Sequence, residues 1–401
     1  MGSTVSEQAS AVESFVIEIP QADIDDLRDR LSKTRFPNDY LNDDWSYGTN
    51  ATYLRGLVDY WINDYDWRAV EAQMNRYDHF KVTVDEVPVH FMRVPGRGPN
   101  PKPILLSHGW PWTFWDFHKV IESLIDPASY GGDERDALEL IIPSLPGFGF
   151  STPVNQLLGV HDDARILDKL MREVLGFSRF GAAGCDWGSA ISAYLSHGYA
   201  DHIIGSHLTE PHFLSISPEE LTPEYFGVEE DGWYVRNQER RRFSSAHLEV
   251  GVEAPQTPAY AFNDSPAGLA ALLAEKRFQW ADSRGDINNV FTLEDVCTTA
   301  SIYWFTQSIA SSLRIYSDTM RPAGDGSGFR IVTMHDRMPV LEAPTGIAVF
   351  PEELVRMPKQ VAQKYTNLKR WTVFDAGGHF SPFEQPELYS RDVTAFFRDL
   401  T

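Results

Sequence analysis

The spacing of apolar and polar positions divides the chain into a helical start, a sheet-forming middle and a second helical stretch, after which the sheet resumes. Between residues 15 and 80, apolar residues recur at helical intervals in IPQADIDDLRDRLSKTRFP, which predicts a helix ending before Pro37, and in ATYLRGLVDYWINDYDWRAVEAQMN, which predicts a second helix. Residues 79–94, HFKVTVDEVPVHFMRV, alternate apolar and polar positions on both sides of an Asp-Glu pair. This alternation is typical of a β-hairpin that opens a sheet.

Short apolar strands then alternate with helices. The predicted strands are KPILLSHGWP, LELIIPSLPGFGFS, RFGAAGCDWG and HIIGSHLTEP, with helices around residues 160–175 and from Trp187 to Tyr199. Such alternation is typical of an α/β fold with a mostly parallel sheet that is covered by helices on both faces.

The alternation is lost between residues 211 and 325, where the pattern is helical, and strands return in APTGIAVF and RWTVFDAGGH before a closing helix, PELYSRDVTAFFRDL. The simplest organisation is a sheet domain interrupted by a helical insertion. We therefore expect an N-terminal helical segment (1–78) packing on core and cap, a first part of the core (79–210), a helical cap or lid (211–325) and a second part of the core (326–401).

Composition and charge narrow the function. The 401 residues carry a net charge of −22, which repels phosphate backbones and anionic membrane surfaces, so a nucleic-acid partner is not expected. The two cysteines, Cys185 and Cys297, lack the spacing of a metal site and fit a reducing compartment. No apolar run has the length of a membrane span, and we expect a cytoplasmic protein with no membrane anchor, no metal and no cofactor.

The stretch GCDWG places Gly184 and Gly188 two residues on either side of Asp186. This spacing is that of the nucleophile elbow of α/β-hydrolases, a tight strand-to-helix turn, with aspartate in the position usually held by serine. Taken alone, Asp186 would be interpreted more simply as the N-cap of a helix.

The partners that such a nucleophile needs occur in the expected chain order. The turn in LLSHGWP offers the backbone N–H of Trp110 for an oxyanion hole, which the N–H of Trp187 would complete. Downstream, GIAVFPEEL places Glu352 and Glu353 after one strand, and DAGGH places His379 after the last strand. Each stretch alone has a structural explanation, but together they follow the order nucleophile, acid, histidine.

A carboxylate nucleophile can displace a leaving group at an sp³ carbon and form an alkyl ester, which a histidine-activated water then hydrolyses. An aspartate elbow therefore indicates an epoxide hydrolase or a haloalkane dehalogenase. A non-hydrolytic enzyme of natural-product metabolism on the same scaffold is a further alternative. A catalytically silent binding protein is disfavoured because Asp186, Glu353 and His379 are all present.

The motifs HGWP, LPGFGFS, GCDWG, NDSPAGLAA, PTGIAVFPEEL and GGHFSPFEQPE together resemble the microsomal-type epoxide hydrolases, over nearly the whole chain from about Ile17 to Phe397. The chain is similar to the soluble microbial members of that family. The resemblance implies an α/β-hydrolase fold with a cap, Asp186 as nucleophile, His379 as base, Glu353 as its orienting acid and Tyr316, in SSLRIYSDTM, as a donor to the epoxide oxygen. It is also consistent with a homodimer.

The sequence departs from the family pattern at the second epoxide-oxygen donor. Counting back from the family's anchor in NDSPAGL places His247 where the family has another tyrosine. An imidazole can donate a hydrogen bond, so His247 could replace that tyrosine. Tyr234, Tyr260 or Tyr303 could serve after a local shift, or Tyr316 could act alone.

The aromatic residues after the HGWP turn are a second departure. Trp112, Phe114 and Trp115 follow in quick succession, which is most often core packing. If these rings line the pocket, the substrate would be a bulky, apolar and aromatic epoxide, which the enzyme would convert to a vicinal diol.

Overall fold

The computed structural model describes residues 11–210, 221–320 and 336–400. Within this part of the chain the strands are β1 (Glu13–Phe15), β2 (Asp78–Val84), β3 (Val87–Val94), β4 (Lys102–Ser107), β5 (Leu138–Pro143), β6 (Phe180–Gly184), β7 (Ile203–Leu208), β8 (Leu341–Val349) and β9 (Thr366–Val373). They form one sheet in the order β1-β2-β3-β5-β4-β6-β7-β8-β9. The neighbours from β1 to β5 pair antiparallel and those from β5 through β4 to β9 pair parallel, which confirms the mostly parallel sheet expected of an α/β-hydrolase.

The helices fall into groups along the chain. The N-terminal group comprises α1 (Gln21–Ser32), α2 (Ala51–Asn63) and α3 (Trp67–Met74), and the first half of the sheet adds α4 (His118–Ile125), α5 (Val160–Lys169) and α6 (Trp187–Gly198). Between β7 and β8 lie α7 (Trp233–Ser244), α8 (Ala246–Glu253), α9 (Gln256–Asp264), α10 (Pro266–Trp280), α11 (Leu293–Thr306) and α12 (Ile309–Met320). The chain closes with α13 (Lys359–Tyr365), α14 (Ser381–Glu384) and α15 (Pro386–Arg398).

The local predictions hold for the hairpin and need correction in the N-terminal segment. Asp85 and Glu86 adopt positive φ angles of 49° and 66°, the backbone that a tight turn between β2 and β3 requires. The second predicted helix is in fact two helices, α2 and α3, because Asp66 accepts a hydrogen bond from the backbone N–H of Ala69 and starts a new helix. The first helix ends at Ser32, earlier than the residue before Pro37.

The helices between β7 and β8 contact both the N-terminal segment and the core. Trp61 of α2 donates its indole N–H to Ser301 Oγ of α11 over 3.1 Å, and the hydroxyls of Tyr65 and Thr298 lie 3.1 Å apart. On the core side, Arg277 of α10 forms a buried ion pair with Asp116 at 2.7 Å. These contacts hold the cap helices over the carboxyl ends of the parallel strands.

No helix among the residues that the structure describes is both long enough and apolar enough to span a bilayer.

Candidate active site

The turn between β6 and α6 holds Asp186 in a conformation that L-residues rarely adopt, with φ 52° and ψ −129°. The flanking glycines make the turn possible by allowing close backbone approach. A Cβ on Gly184 would lie 2.1 Å from the carbonyl oxygen of Gly188, and a Cβ on Gly188 would lie 2.0 Å from the carbonyl oxygen of Ser107 at the end of β4. The Asp186 backbone is therefore held in place by its packing against two strands.

The carboxylate of Asp186 is buried between two of its predicted partners. Its Oδ1 accepts the backbone N–H of Trp110 over 2.7 Å, and its Oδ2 lies 3.3 Å from His379 Nε2. Trp187 is the first residue of α6, where the helix dipole favours negative charge. The HGWP turn and the elbow thus meet at one carboxylate.

His379 lies between Asp186 and Glu353. Its Nδ1 is 2.6 Å from Glu353 Oε1, while its backbone N–H donates to the carbonyl of Trp280 over 3.0 Å. The neighbouring Glu352 faces away and forms ion pairs with the guanidinium groups of Arg236 and Arg240. Geometry therefore separates the adjacent glutamates, and the one beside His379 is Glu353, the residue that the family resemblance implies.

The three side chains are electrostatically coupled. Burial of the His379 ring opposes its charge, but the carboxylates of Glu353 and Asp186 outweigh this and raise the pKa of His379 well above its ordinary value. Before substrate binds, this raised pKa favours the protonated form of His379, in which Nδ1 donates to Glu353.

Tyr316 of α12 lies over the elbow. Its ring contacts those of Trp187, at 5.1 Å between centroids, and Trp110, at 5.7 Å. Burial, with the nearby charge of Asp186, raises the pKa of the Tyr316 phenol well above its usual value. Tyr316 therefore keeps its proton and can donate a hydrogen bond into the cluster.

His247 of α8 lies beside Tyr316, with 5.4 Å between the ring centroids, and stacks on Trp110 at 5.5 Å with an interplanar angle of 8°. The other residues considered for this position are placed differently. Tyr260 is 71% exposed on the surface, and the hydroxyl of Tyr303 donates to the carbonyl of Trp112 over 2.9 Å. Tyr234 contacts Phe226, with 5.9 Å between centroids.

The aromatic residues after the HGWP turn separate into two environments. Trp112 is fully buried and packs edge-on against His379 at 5.6 Å. Phe114 packs against His90 of β3 at 5.0 Å and Trp115 stacks on His118 at 5.0 Å. The pocket expectation is therefore corrected for Phe114 and Trp115, whose rings pack in the core on the side of the first strands.

Sequence reasoning missed Trp280, the last residue of α10. Its ring contacts His247 at 4.8 Å, His379 at 5.1 Å and Trp110 at 6.2 Å. Nothing in the local pattern of EKRFQWADS distinguishes this tryptophan from a core residue of a helix. Its place in the site depends on where α10 ends relative to the loop that carries His379.

Sequence reasoning also missed Glu210, which follows β7 and lies 3.8 Å from His379 Nδ1. An acidic residue just past a parallel strand was the signal that could have found it, because the carboxyl ends of such strands meet at one edge. Asp186, Glu210 and His379 each offer one donor atom within 4.8 Å of the others, so these are the described residues that could hold a metal ion.

Comparison with known protein families gives two matches that overlap along the chain. Residues 12–117 match the family described as epoxide hydrolase N terminus, and residues 102–386 match the family described as alpha/beta hydrolase fold. The first match includes α1 to α3, β2, β3 and the HGWP turn. The second includes the elbow, the cap helices and His379.

Similar proteins match along most of their length. Epoxide hydrolase 1 of Oryctolagus cuniculus is 33% identical over 424 residues, covering 98% of this chain and 90% of that protein. Juvenile hormone epoxide hydrolase 2 of Ctenocephalides felis is 30% identical over 405 residues, covering 96% and 85%. The crystal structure of juvenile hormone epoxide hydrolase from the silkworm Bombyx mori superimposes with a TM-score of 0.86 at 26% identity, covering 98% of this chain and 96% of that one.

Proposed function

Because this chain belongs to the epoxide hydrolase family, with the family's N-terminal segment ahead of an α/β-hydrolase fold, we propose that it opens a bulky, apolar, aromatic epoxide through a covalent ester on Asp186. Family membership gives epoxide hydrolysis as the reaction. The observation that carries the proposed mechanism is the position of the Asp186 carboxylate. One oxygen accepts the backbone N–H of Trp110 over 2.7 Å, and the other lies 3.3 Å from His379 Nε2.

In the first step, the carboxylate of Asp186 attacks one carbon of the three-membered ring and the C–O bond to that carbon breaks. The epoxide oxygen takes up a proton from Tyr316, with His247 as the second donor beside it. A buried phenol that keeps its proton at neutral pH is suited to this role. The product is a hydroxyalkyl ester of Asp186.

In the second step, His379 acts as a base. Formation of the ester removes the negative charge of Asp186, which lowers the pKa of the imidazolium. His379 then gives up its proton, which returns through solvent to the Tyr316 phenolate that the first step left. Its Nε2 then takes a proton from water, while Glu353 at 2.6 Å orients the ring through Nδ1. The resulting hydroxide attacks the ester carbonyl, and the backbone N–H groups of Trp110 and Trp187 hold the oxyanion. The ester C–O bond then breaks, the departing diol oxygen takes the proton of the added hydroxyl group, and Asp186 is left as a carboxylate beside protonated His379.

The proposed substrate class follows from the rings around this carboxylate. Trp110, Trp112, Trp280 and Tyr316 are each at most 2% exposed, and all lie in ring contact with His379 or with one another. Aromatic walls of this kind favour a flat apolar group, because offset and edge-to-face ring contacts add about 0.5–1.5 kcal/mol each beyond area burial.

The mechanism is tested by mass spectrometry of the Asp186 peptide. A bulky aryl epoxide is mixed with the His379→Gln protein, and the wild type is turned over in ¹⁸O water. We expect a stable adduct on Asp186 in the variant and ¹⁸O in the Asp186 carboxylate of the wild type. An Asp186→Asn variant is the matched control and should show neither. Diol formation without an adduct or label would rule out the ester.

The role of His247 is tested by its replacement with glutamine, which keeps a donor that does not titrate, and with phenylalanine, which removes the donor. If His247 donates to the epoxide oxygen, the phenylalanine variant should form the ester more slowly, while the glutamine variant should retain more of the rate with a flatter pH dependence. Equal rates in both variants and the wild type would leave Tyr316 as the sole donor.

Dehalogenation is the second candidate, and one observation favours it. The indole N–H groups of Trp110, Trp112 and Trp280 are buried and find no hydrogen-bond acceptor among the residues that the structure describes. An N–H donor is what a departing halide needs. Chloride release from an aryl-substituted chloroalkane at a rate comparable to epoxide opening would support this candidate. Release that stays below detection while diol forms would exclude it.

A further inference from the structure

A further buried carboxyl group contacts the proposed catalytic histidine. Glu210 Oε2 lies 3.8 Å from His379 Nδ1, and the Glu210 side chain is 1% exposed. The backbone N–H of Glu210 donates to Ser189 Oγ in the first turn of α6, over 3.3 Å, which fixes this residue against the elbow. Glu210, Asp186 and His379 each contribute an atom to a group spanning less than 4.8 Å, so Glu210 lies within the cluster.

The topology explains how two acids approach one histidine. Strands β7, β8 and β9 are parallel neighbours, and Glu210, Glu353 and His379 each lie just beyond the carboxyl end of one of them. Glu353 reaches Nδ1 at 2.6 Å from the central strand, and Glu210 approaches the same nitrogen from β7. A movement of about 1 Å would bring Glu210 within ordinary hydrogen-bond distance.

We propose that Glu210 is a second carboxyl group that orients the proposed catalytic histidine. It is a positioning residue that shares His379 Nδ1 with Glu353 and accepts the hydrogen bond from Nδ1–H when Glu353 cannot. This inference rests on the proposed covalent mechanism. It assigns Glu210 to the hydrolysis of the ester and not to its formation, because only the second step requires an oriented base.

The charges in the cluster suit this role. Burial, and then repulsion from Glu353, raise the pKa of Glu210 well above its ordinary value, with Asp186 adding to the rise and His379 opposing it. The charges of Asp186 and Glu353 therefore favour the protonated form of Glu210. Conversion of Asp186 to a neutral ester removes one negative charge, so Glu210 can ionise at the step in which His379 must hold a proton taken from water.

The experiment compares the Glu210→Gln, Glu353→Gln and double variants of the full chain with the wild type. Rapid mixing with an aryl epoxide, followed by mass spectrometry, measures ester formation and ester hydrolysis separately. We expect ester formation to stay within about threefold in all variants. Hydrolysis should fall by about 10- to 100-fold in Glu353→Gln and by a further 10-fold or more in the double variant, toward the level of His379→Gln.

The control is Asp163→Asn, which removes another buried carboxyl group whose pKa is raised by burial but which lies in α5, away from His379. Both half-reactions should be unchanged in it. A structural role for Glu210 would slow ester formation and hydrolysis together, whereas a relay role slows hydrolysis alone and shifts the midpoint of its pH profile.

One single variant keeps the inference open to refutation if the double variant does not fold. In Glu353→Gln, the remaining hydrolysis should increase with pH as Glu210 ionises. Hydrolysis in this variant that is pH-independent and no faster than in His379→Gln would overturn the inference, as would a double variant within twofold of Glu353→Gln. Failure to detect any ester in the His379→Gln protein would instead remove the covalent mechanism itself.

Discussion

The buried ion pair between Arg277 and Asp116 is expected to stabilise the cap on the core. Arg277 lies on α10, the helix whose last residue, Trp280, accepts a hydrogen bond from the backbone of His379. Its side chain is 1% exposed, and its Nη2 donates both to Asp116 Oδ1 and to Thr299 Oγ1 at 2.7 Å. Loss of this pair should therefore loosen the element against which His379 is held.

The size of the effect follows from what replacement by methionine leaves behind. Asp116 Oδ2 would still accept the backbone N–H of Thr113 over 2.7 Å, but the carboxylate would be buried without its counter-charge. Removing one partner of a buried pair costs about 3–5 kcal/mol. The guanidinium also lies 4.6 Å and 4.9 Å from the ring centroids of Phe291 and Phe380, contacts that the apolar methionine stem partly keeps. We expect Arg277→Met to lower the free energy of unfolding by about 4 kcal/mol.

Urea denaturation, followed by tryptophan fluorescence and circular dichroism, measures this change. The control is Arg30→Gln, which removes exposed ion pairs with Asp26 and Asp264. Because the Arg30 side chain is 40% exposed, each of these pairs should contribute less than about 1 kcal/mol. The Arg277→Met/Asp116→Leu double variant should be more stable than Arg277→Met, because no uncompensated charge remains. An Arg277→Met protein within about 1 kcal/mol of the wild type would refute the reasoning.

Further predictions concern pH, the elbow and the cap. Burial lowers the pKa of His108 to about 4 from an unfolded value of 6.5, so between these pH values the unfolded chain binds more protons than the folded one. The stability that depends on neutral His108, about 3 kcal/mol, should be complete above pH 6.5 and lost as the pH falls to about 4. A urea midpoint that stays constant over this range would contradict the prediction. Gly188→Ala should abolish ester formation and destabilise the fold by about 3 kcal/mol in urea denaturation. Its control is Gly56→Ala on α2, where a Cβ would meet open space and should stabilise the fold slightly. Equal stability changes in the two variants would refute the packing argument. Tyr316→Phe should slow ester formation by about 100-fold in rapid mixing. Tyr303→Phe, which removes a hydroxyl that donates to the carbonyl of Trp112, should leave ester formation nearly unchanged. Similar losses in both variants would point to a shared packing role.

The local sequence was sufficient to predict an element wherever backbone geometry fixes the spacing of apolar residues or requires a turn. Alternation at period two and at helical spacing identified the hairpin, the parallel strands and the helical insertion. The glycines around Asp186 identified the elbow, because a Cβ on Gly188 would lie only 2.0 Å from the carbonyl oxygen of Ser107. The split between α2 and α3 was missed, because the apolar spacing continues across the break and only the Asp66 cap marks it.

Tertiary structure decided which further side chains share the site and how those expected from the sequence contact one another. Glu352 and Glu353 are neighbours in one motif, yet only the second reaches His379, because successive residues leaving a strand point to opposite sides. Trp280 entered the site through the position of α10, which no local pattern contains. Glu210 entered it through the position of β7, and its place just past a parallel strand was the one local signal. Sequence patterns carry information over the few residues that one turn or strand spans, whereas the contacts of Glu210 and Trp280 with His379 depend on how the sheet and cap pack together.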